Sequence, residues 1–413
     1  MASPHTAAPQ RAASAKNHHA VLAGFFGWTL DAFDFFIVVF LFDTLAHQFG
    51  VSKREIVLTT TATLAMRPAG ALLFGLLADR YGRRIPLMAN VIYFSAIELL
   101  CGFAPNFRVF FVLRALFGIG MGGEWGVGAS LAMEAAPPRL RGILSGILQS
   151  GYPAGYLLAA VAARFLLPMW GWRAMFWIGA LPALLALYIR TKVPESQAWK
   201  EHRAATTAQV LTIVAKNWRR FVYLVVLMTF MMFLSHGTQD LYPDFLSEVH
   251  RAAAAVRANI AIVYNFGALA GAVVFGQLSQ LLGRRKSMMV ALALSLALIP
   301  VWAFGGGFAV ITIAAFAMQA GVQGAWGVIP VHLNELAADA ARGLMPGLAY
   351  QLGILLASPT NSIQYALRDR VGYPWAMAGF EIVTILTLAI LLWFGPEAHG
   401  KKLSSADLPL AGK

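Results

Sequence analysis

A ten-residue pattern occurs twice in this chain, and the register between its copies restricts the possible folds more than any other feature. Residues 75–84 read Gly-Leu-Leu-Ala-Asp-Arg-Tyr-Gly-Arg-Arg, and residues 276–285 read Gly-Gln-Leu-Ser-Gln-Leu-Leu-Gly-Arg-Arg, 201 positions later (276 minus 75). The same offset relates the pairs Gly123/Gly324, Trp125/Trp326, Glu134/Glu335, Arg141/Arg342 and Gly171/Gly372. One register held over about 100 residues indicates an internal duplication. The chain is therefore expected to fold as two similar halves.

The composition places both halves in a membrane. Of the 413 residues, 59% are hydrophobic and 12% are charged, whereas soluble domains carry about 25% charged residues. The net charge of +13 does not indicate a nucleic-acid partner, because the basic residues cluster in short loops between apolar runs. The lipid bilayer is the expected partner. The single cysteine, Cys101, excludes an internal disulfide.

Twelve apolar runs are long enough to span a bilayer, which takes about 20 residues. They cover roughly residues 21–45, 56–78, 85–104, 107–134, 142–167, 174–192, 220–246, 255–282, 286–305, 308–335, 342–366 and 374–395. The predicted fold class is therefore all-α, with twelve transmembrane helices in two pseudo-symmetric six-helix bundles. The expected organisation is a disordered cytoplasmic tail, an N-terminal bundle, a cytoplasmic linker, a C-terminal bundle and a second cytoplasmic tail, over residues 1–20, 21–192, 193–219, 220–395 and 396–413.

The distribution of basic residues predicts the orientation. Cytoplasmic loops of membrane proteins carry an excess of Lys and Arg. With the N-terminus inside, about two thirds of the 32 Lys and Arg residues fall in the inner tails, loops and linker. Both termini are therefore expected in the cytoplasm, in a multi-pass protein of the inner or plasma membrane.

The pattern between helices 2 and 3 and a glycine-rich run in helix 4 resemble two motifs of the major facilitator superfamily. They read Gly75-x3-Asp79-Arg80-x-Gly82-Arg83-Arg84 and Arg114-x3-Gly118-x-Gly120-x-Gly122-Gly123. The resemblance covers nearly the whole chain. It implies a transporter that works by alternating access, with its cavity between the halves and, by analogy, a monomer as the functional unit.

Helix 7 carries a narrower resemblance. Residues 235–240 read Ser-His-Gly-Thr-Gln-Asp and are similar to the Ser/Thr-His-x-Ser/Thr-Gln-Asp core of fungal monocarboxylate permeases and bacterial sialate:proton symporters. Residues 31–36 of helix 1, Asp-Ala-Phe-Asp-Phe-Phe, are compatible with that group. Met232 stands where those permeases carry Asn, and Asp244 where they carry Thr. These departures affect the expected substrate more than the expected class.

Arg67 is the first candidate for substrate binding. It precedes Asp79, at one end of helix 2, by twelve residues, so it lies roughly 18 Å along the helix, near the midplane of a core roughly 30 Å thick. Pro68 follows it and is expected to kink the helix. A guanidinium can grip a carboxylate through two parallel hydrogen bonds, so anion coordination in a central cavity is one interpretation. The alternative is a structural ion pair with Asp31, Asp34 or Glu98.

Asp31 and Asp34 share one face of helix 1, because they are three residues apart. Ionisable groups at membrane depth are costly and are functional candidates by default. Two close carboxylates with little water do not both ionise easily, so Asp34, and after it Asp31, is a candidate proton carrier. Arg114 of helix 4 is grouped with them. In the alternative interpretation, Arg114 pairs with these aspartates and only joins helices 1 and 4.

His236, Gln239 and Asp240 fall on one face of helix 7 through their i, i+3 and i+4 spacing. Asp240 can orient and charge the imidazole, which titrates near physiological pH and so suits proton coupling. A polar face turned to lipid would be costly, so this face is expected to line the cavity. A single histidine is more often a packing residue, and no ligand pair here completes a metal site.

Other residues at middle depth are weaker candidates. Further substrate contacts are expected from Tyr152 in helix 5, Asn265 in helix 8 and Gln323 in helix 10. Glu124 is a further proton-coupling candidate, because an unpaired carboxylate inside a membrane helix is costly. Its repeat mate is Ala325, so the shared architecture does not require it. The glycines before it are interpreted as packing residues.

Polar and charged residues of the two copies of the repeated pattern, together with the repeated Glu and Arg residues, are interpreted as a cytoplasmic gate, because repetition suits a structural role in alternating access. The set is Asp79, Arg80, Arg83, Arg84, Glu134, Arg141, Gln280, Arg284, Arg285, Glu335 and Arg342. Gln280 stands where the first half has Asp79, so the second latch is expected to be the weaker one.

The sequence contains neither Gly-x4-Gly-Lys-Ser/Thr, Gly-x-Ser-x-Gly nor His-Glu-x2-His, so an enzyme or an ATP-driven pump is not indicated. No cofactor or metal is expected. The predicted function is proton-coupled symport of a small carboxylate, with a monocarboxylate such as lactate or pyruvate favoured. The alternatives are sialate or an aromatic acid as substrate, a drug/proton antiporter, and a non-transporting sensor. Arg67 argues against the antiporter, and a C-terminal tail of only about 18 residues argues against the sensor.

Overall fold

The computed structural model describes residues 7–204 and 206–404; for residues 7–17, Arg190 and Ala254 it describes the backbone alone. The first half is built from α1 (Ala7–Phe40), α2 (Phe42–Phe49), α3 (Lys53–Tyr81), α4 (Arg84–Cys101), α5 (Phe107–Ala135), α6 (Arg141–Gln149), α7 (Gly151–Phe165), α8 (Leu167–Ile178) and α9 (Pro182–Lys192). Two short helices follow, α10 (Gln197–His202) and α11 (Thr207–Lys216). The second half is built from α12 (Trp218–Gln239), α13 (Tyr242–Glu248), α14 (Ala254–Leu282), α15 (Arg284–Phe304), α16 (Phe308–Leu336), α17 (Met345–Ala357), α18 (Thr360–Val371) and α19 (Tyr373–Phe394).

Two of the predicted spans, 142–167 and 342–366, are each broken into two shorter helices. Ten segments of the described chain are long and apolar enough to cross a bilayer, and these two are not among them. Ser150 separates α6 from α7, and Ser358 and Pro359 separate α17 from α18. Pro359 and Pro153, in the first turn of α7, cannot donate the helical hydrogen bond. The all-helical fold class is confirmed, and the broken segments lie where helices 5 and 11 were predicted.

The repeated pattern forms the same turn in both halves. α3 ends at Tyr81 and α14 at Leu282, and the next residue, Gly82 or Gly283, has a φ of +101° or +90°. Glycine adopts such a backbone at little cost, whereas a residue with a Cβ does not. The duplication read in the sequence therefore extends to the backbone geometry.

Each half is built around a close pair of helices, α3 with α5 and α14 with α16. A Cβ at Gly122 would lie 1.9 Å from the carbonyl oxygen of Arg67, and one at Gly271 would lie 2.0 Å from that of Ala320. Small residues let membrane helices approach this closely, in accord with the packing role expected for the helix-4 glycines. Between the halves, α3 packs on α17 and α14 packs on α6, so the halves meet along two pseudo-equivalent seams.

The structure describes helices within the segments expected to be the N-terminal tail and the linker. α1 begins at Ala7, so it overlaps the segment 1–20 that was expected to be disordered; alanine, the strongest helix former, is frequent there. Residues 1–6 and 405–413 of the predicted tails lie outside the described residues. In the linker 193–219, Ser196 and Thr206 cap α10 and α11. Cys101 is fully buried.

Candidate functional site

One end of the bundle, here called the latch face, carries residues 79–84 and 280–285, and at this end the two halves are closed against each other. The Asp79 carboxylate accepts hydrogen bonds from the backbone N–H groups of Gly343 and Leu344 in the other half, at 2.7 and 3.0 Å. Arg83 Nη1 donates to the same carboxylate at 2.6 Å. Hydrogen bonds to an ionised acceptor are among the stronger ones in proteins. Asp79 therefore joins the halves directly.

A buried ion-pair network surrounds this contact. Arg83 donates from Nε and Nη2 to Glu134 at 3.3 and 3.0 Å, and Arg342 of the other half reaches Glu134 at 3.2 Å. The second half repeats the first pair, since Arg284 donates from the same two nitrogens to Glu335 at 2.9 and 2.8 Å. These side chains are at most 1% exposed. Five predicted gate residues thus lie in paired buried contacts.

Gln280, the repeat mate of Asp79, makes a related contact, but its hydrogen bonds to the other half join uncharged groups. Its Oε1 accepts from the backbone N–H of Gly142 at 3.0 Å and from Arg284 at 2.8 Å, and its Nε2 donates to the Pro138 carbonyl at 2.7 Å. Neutral hydrogen bonds are weaker than those to a charged group. The geometry is in keeping with a weaker second latch, which stays a prediction.

Two serines that the sequence analysis missed also join the halves. Ser130 Oγ donates to the Arg342 carbonyl at 2.6 Å, and Ser145 Oγ donates to the Gly327 carbonyl at 2.7 Å. Among the remaining predicted gate residues, Arg141 donates to the carbonyls of Met133 and Lys401 at 3.2 and 3.0 Å. Arg80 is exposed and lies over the Tyr81 ring, 4.9 Å from its centroid.

Two further missed residues, Glu195 and Glu397, accept from the helix that begins after each repeated turn. Glu195 accepts from the backbone N–H of Arg84 at 3.2 Å, and Glu397 accepts from that of Arg285 at 3.0 Å. Burial would raise the pKa of Glu397, but hydrogen bonds from the backbone N–H groups of Arg285, His399 and Ala398 hold this pKa below its usual value. The available signal was a Pro-Glu dipeptide after each half, at 194–195 and 396–397.

In the centre of the N-terminal half, Arg114 pairs with Glu98 and not with either aspartate of α1. Arg114 Nη1 donates to Glu98 Oε2 at 2.7 Å, and both side chains are fully buried. The guanidinium carbon also lies 4.2 Å from the centroid of the Phe117 ring. The described structure therefore does not contain the alternative pair of Arg114 with Asp31 or Asp34, because Arg114 pairs with Glu98 of α4 instead.

Three buried carboxyl groups of this half have no hydrogen-bond partner among the described residues. Asp31, Asp34 and Glu124 are 0% exposed, and none of their oxygens accepts a bond from the described residues. A Cβ at Gly179 would lie 2.8 Å from Asp34 Oδ1 and 2.7 Å from Glu98 Cγ, which places these two side chains next to each other. An ionised carboxylate in such a place would lose its hydration without compensation. The arrangement therefore suits groups that bind protons.

Arg67 lies in α3 at the centre of the molecule with two unpartnered donor groups. Its side chain is 3% exposed, and its Nε and Nη2 have no partner among the described residues. The alternative ion pairs with Asp31, Asp34 and Glu98 are not present there. Its guanidinium carbon is 5.9 Å from the centroid of the Tyr350 ring in the other half. A buried guanidinium with free donors is suited to a carboxylate ligand.

Aromatic rings from both halves surround this arginine. Tyr350 stacks on Trp125 with centroids 4.2 Å apart and meets Trp326 at 5.8 Å. Trp125 and Trp326 are repeat mates, so the duplication places both indoles on one tyrosine. Tyr152, a predicted substrate contact, stacks on Trp28 at 5.3 Å. The rings provide an apolar wall beside a cation, which suits a small organic anion.

The C-terminal half contributes a titratable pair. His236 Nδ1 lies 3.2 Å from Asp240 Oδ2, and Asn361 donates to the same oxygen at 3.1 Å. The His236 and Asp240 side chains are 39% and 35% exposed, although they lie within the apolar segment Trp218–Glu248. A titratable face turned to lipid would be costly, and Asn361 of α18 reaches this pair, so this face is interpreted as bordering a water-accessible space.

Amide side chains extend this polar region. Gln239 donates to Gln319 at 2.7 Å, and Gln323 donates to Ser235 at 3.3 Å. Asn265, by contrast, donates to a carbonyl of its own helix at 2.8 Å. The structure thus brings Gln239 and Gln323 together, but not Asn265. In the described part of the chain, no three His, Cys, Asp or Glu side chains are grouped to hold a metal ion.

Comparison with protein families gives two matches. Residues 24–250, more than half of the chain, match the Major Facilitator Superfamily. Residues 221–400 match the family described as Sugar (and other) transporter. The resemblance inferred from the sequence motifs is confirmed.

Curated relatives cover most of this chain. A carboxylic acid transporter protein homolog of Saccharomyces cerevisiae is 29% identical over 87% of this chain, which spans 62% of the yeast protein. The sialic acid transporter NanX of Escherichia coli is 29% identical over 94% of this chain and 96% of its own length. A probable 4-methylmuconolactone transporter of Cupriavidus pinatubonensis is 29% identical over 94% and 93%.

Solved structures share the fold. The proton:xylose symporter XylE, bound to 6-bromo-6-deoxy-D-glucose, gives a TM-score of 0.74 at 19% identity over 94% of this chain and 98% of that one. The human organic anion transporter MFSD10 gives 0.73 at 15% identity over 91% and 99%. At these identities the likeness concerns the fold alone.

Proposed function

The chain belongs to the major facilitator superfamily, and on this premise we propose that it moves a small carboxylate together with protons by alternating access. It is a transporter, not an enzyme, and a multi-pass protein of the inner or plasma membrane. The observation that carries the proposal is Arg67, a buried guanidinium with two unpartnered donors beside a ring of the other half. The two oxygens of a carboxylate match such donors.

The proposed substrate lies between the halves. Arg67 holds its carboxylate, Tyr152 and Tyr350 flank its apolar part, and His236 and Gln239 face it from helix 7. One arginine with unused donors matches one carboxylate, so we favour a monocarboxylate such as lactate or pyruvate. The helix-7 motif and the similarity to a yeast carboxylic acid transporter homolog support this class.

Sialate is the second candidate substrate. The hydrogen-bonded groups around Gln239, Gln319 and Gln323 suit a ligand with several hydroxyl groups. A relative of similar length is a sialic acid transporter. A larger acid of this kind would use the same arginine and more of the amide network.

Proton coupling follows from the field of Arg67. Glu124 follows Gly122, which packs on the Arg67 backbone, by two residues, and a cation favours the ionised form of a nearby carboxyl. A substrate carboxylate neutralises that cation, so the neighbouring carboxyls bind protons more readily when substrate is bound. Asp34, beside the Glu98–Arg114 pair, and the His236–Asp240 pair belong to the same proposed proton system.

The proposed cycle begins from the conformation described here. The latch face is closed and is proposed to face the cytoplasm, while His236 and Asp240 are exposed to the other side. Substrate and proton enter, the halves rock, and the contacts of Asp79 and Gln280 across the seams break. One chain carries the whole site, so the proposed functional unit is a monomer.

Uptake into proteoliposomes tests the proposal. Labelled lactate, pyruvate and sialate are offered with an inward proton gradient, and then with the gradient collapsed by an ionophore. We expect one acid to accumulate only with the gradient. Binding without counterflow would indicate a sensor, and export of a cationic drug without uptake of any acid would indicate an antiporter; either result contradicts the proposal.

A further inference from the structure

A buried carboxyl group in the C-terminal half is used neither by the latch nor by the proposed substrate site. Glu381, in α19, is 0% exposed, and neither of its oxygens has a hydrogen-bond partner among the described residues. The other interior carboxyls of this half differ, since Glu335 is paired with Arg284 and Asp240 with His236. Glu381 therefore stands apart as an acid that no donor stabilises.

Glu381 packs directly against the helix-7 motif. A Cβ at Gly237 would lie 2.0 Å from Glu381 Oε1 and 2.7 Å from Phe380 Cε1, so a side chain at this position would displace the carboxyl. Gln364 Nε2 donates to the carbonyl of the same glycine at 2.9 Å, while its own Oε1 is buried without a donor. The two Glu381 oxygens and Gln364 Oε1 are thus acceptors beside the same glycine, and no described residue donates a hydrogen bond to them. A protonated carboxyl supplies the missing O–H group.

The charged and titratable groups on the helices packed against α19 are engaged elsewhere or lie apart. α12, α15 and α18 are its packing partners. Tyr365 and Arg368 of α18 bond Asp244 and Glu248. In α15 the charged residues are in the first turn at the latch face, and in α12 the nearest titratable group is His236, next to Gly237. None hydrogen-bonds to Glu381, so the neutral acid is the form that the site accommodates.

We propose that Glu381 is a second proton-binding site, which holds its proton while Gly237 packs against it and exchanges it when this segment of helix 7 moves. The helix is interrupted three residues after Gly237, because α12 ends at Gln239 and α13 begins at Tyr242. Hydronium in the solution that reaches His236 gives its proton to the carboxylate and becomes water, and after the halves rock the acid returns the proton to a water molecule, which becomes hydronium. The role in coupling rests on the proposed function.

Infrared difference spectroscopy tests the protonation directly and needs no transport. The spectrum of wild type minus Glu381→Gln at neutral pH is expected to contain a carboxylic-acid carbonyl band. Glu248→Gln, which alters an exposed glutamate in an ion pair with Arg368, is the matched control. The spectrum of wild type minus Glu248→Gln is expected to lack the carboxylic-acid band. If the glutamine variant does not fold, Glu381→Asp is expected to move the band. Carboxylate bands in place of the acid band would overturn the proposal.

Transport tests the coupling. In Glu381→Gln, we expect counterflow within about twofold of wild type but accumulation about tenfold lower for each unit of pH gradient, the value of one proton. Unchanged accumulation would overturn the coupling role. If wild type carries no acid at all, the proposed function fails, and the infrared band still decides whether Glu381 holds a proton.

Discussion

The two halves share their latch and differ in their centre. At the latch face, Arg83 with Glu134 and Arg284 with Glu335 are joined through the same nitrogens at the same sequence separation of 51 residues. In the centre, the N-terminal half places Arg67 among carboxyls without partners. The C-terminal half instead places the His236–Asp240 pair and hydrogen-bonded amides and hydroxyls there, and Glu381, a carboxyl of this half without a partner among the described residues, packs against helix 7.

The difference separates what movement requires from what binding requires. Rocking about a pseudo-twofold axis needs closing contacts in both halves, so both retained them. A small asymmetric substrate needs one charged anchor, so a second arginine at the equivalent position is not needed; residue 268 there is alanine. The predictions below test this division, beginning with the largest expected effect.

Arg67→Ala is expected to reduce acid uptake at least about 30-fold, because hydrogen bonds between charged groups contribute about 2 kcal/mol. Arg67→Lys keeps the charge but loses the paired donors, so it is expected to be intermediate. Uptake of labelled acid into proteoliposomes measures both. Arg164→Ala, an exposed arginine in the same half, is the control and is expected to transport normally. Uptake by Arg67→Ala at the wild-type level would show that Arg67 does not bind the substrate carboxylate.

Asp34→Asn and Gln323→Ala compare the two centres. Asp34→Asn is expected to lower gradient-driven accumulation about tenfold per pH unit while counterflow persists, because a carboxyl that exchanges a proton is lost. Gln323→Ala is expected to weaken substrate affinity and leave the coupling intact. Accumulation ratios and KM, measured side by side, separate these effects. The reverse result, with weaker affinity in Asp34→Asn and lost accumulation in Gln323→Ala, would contradict the roles proposed for these two residues.

Asp79→Asn and Gln280→Ala compare the two latches. Loss of a charged acceptor across the seam is expected to favour opening about tenfold or more, and loss of neutral bonds only about threefold to fivefold. Spin labels on cysteines at the exposed Tyr81 and Leu281 report the separation of the halves, and buried Cys101 is expected to stay unlabelled. Equal shifts in the two variants would mean that the latches are equivalent.

Asp339→Asn is expected to have the smallest effect. Burial opposes ionisation of Asp339, but its hydrogen bond from Lys401 and the charge of Arg342 hold its pKa below the usual value. A lowered pKa stabilises the folded state above the pKa of an unfolded aspartate, about 3.9, and this contribution is lost as the pH falls through the folded-state pKa. A small decrease in Tm is therefore expected at pH 6 and none in strong acid. A decrease of equal size in strong acid would contradict this origin.

The sequence was most informative where position along the helix decides the outcome. Apolar runs were enough to predict the fold, and the repeated register was enough to select the residues of the latch face, since both depend on where a residue lies along a helix; the gating role of those residues stays a prediction. The rotation of each helix about its own axis could not be predicted from the sequence. It decides that Arg114 meets Glu98 and that Asn265 turns back to its own helix. Glu381 escaped notice because it belongs to no motif.

The burial of the latch has a consequence for ionic strength. Mobile ions screen charges separated by water over about 8 Å at physiological salt, but they act far less on pairs that water does not reach. The charged atoms that close the latch face are almost wholly enclosed. Changes in the salt content of the surrounding solution will therefore leave the attraction within the closed latch nearly unaltered, and will act on these charges only once the latch has opened.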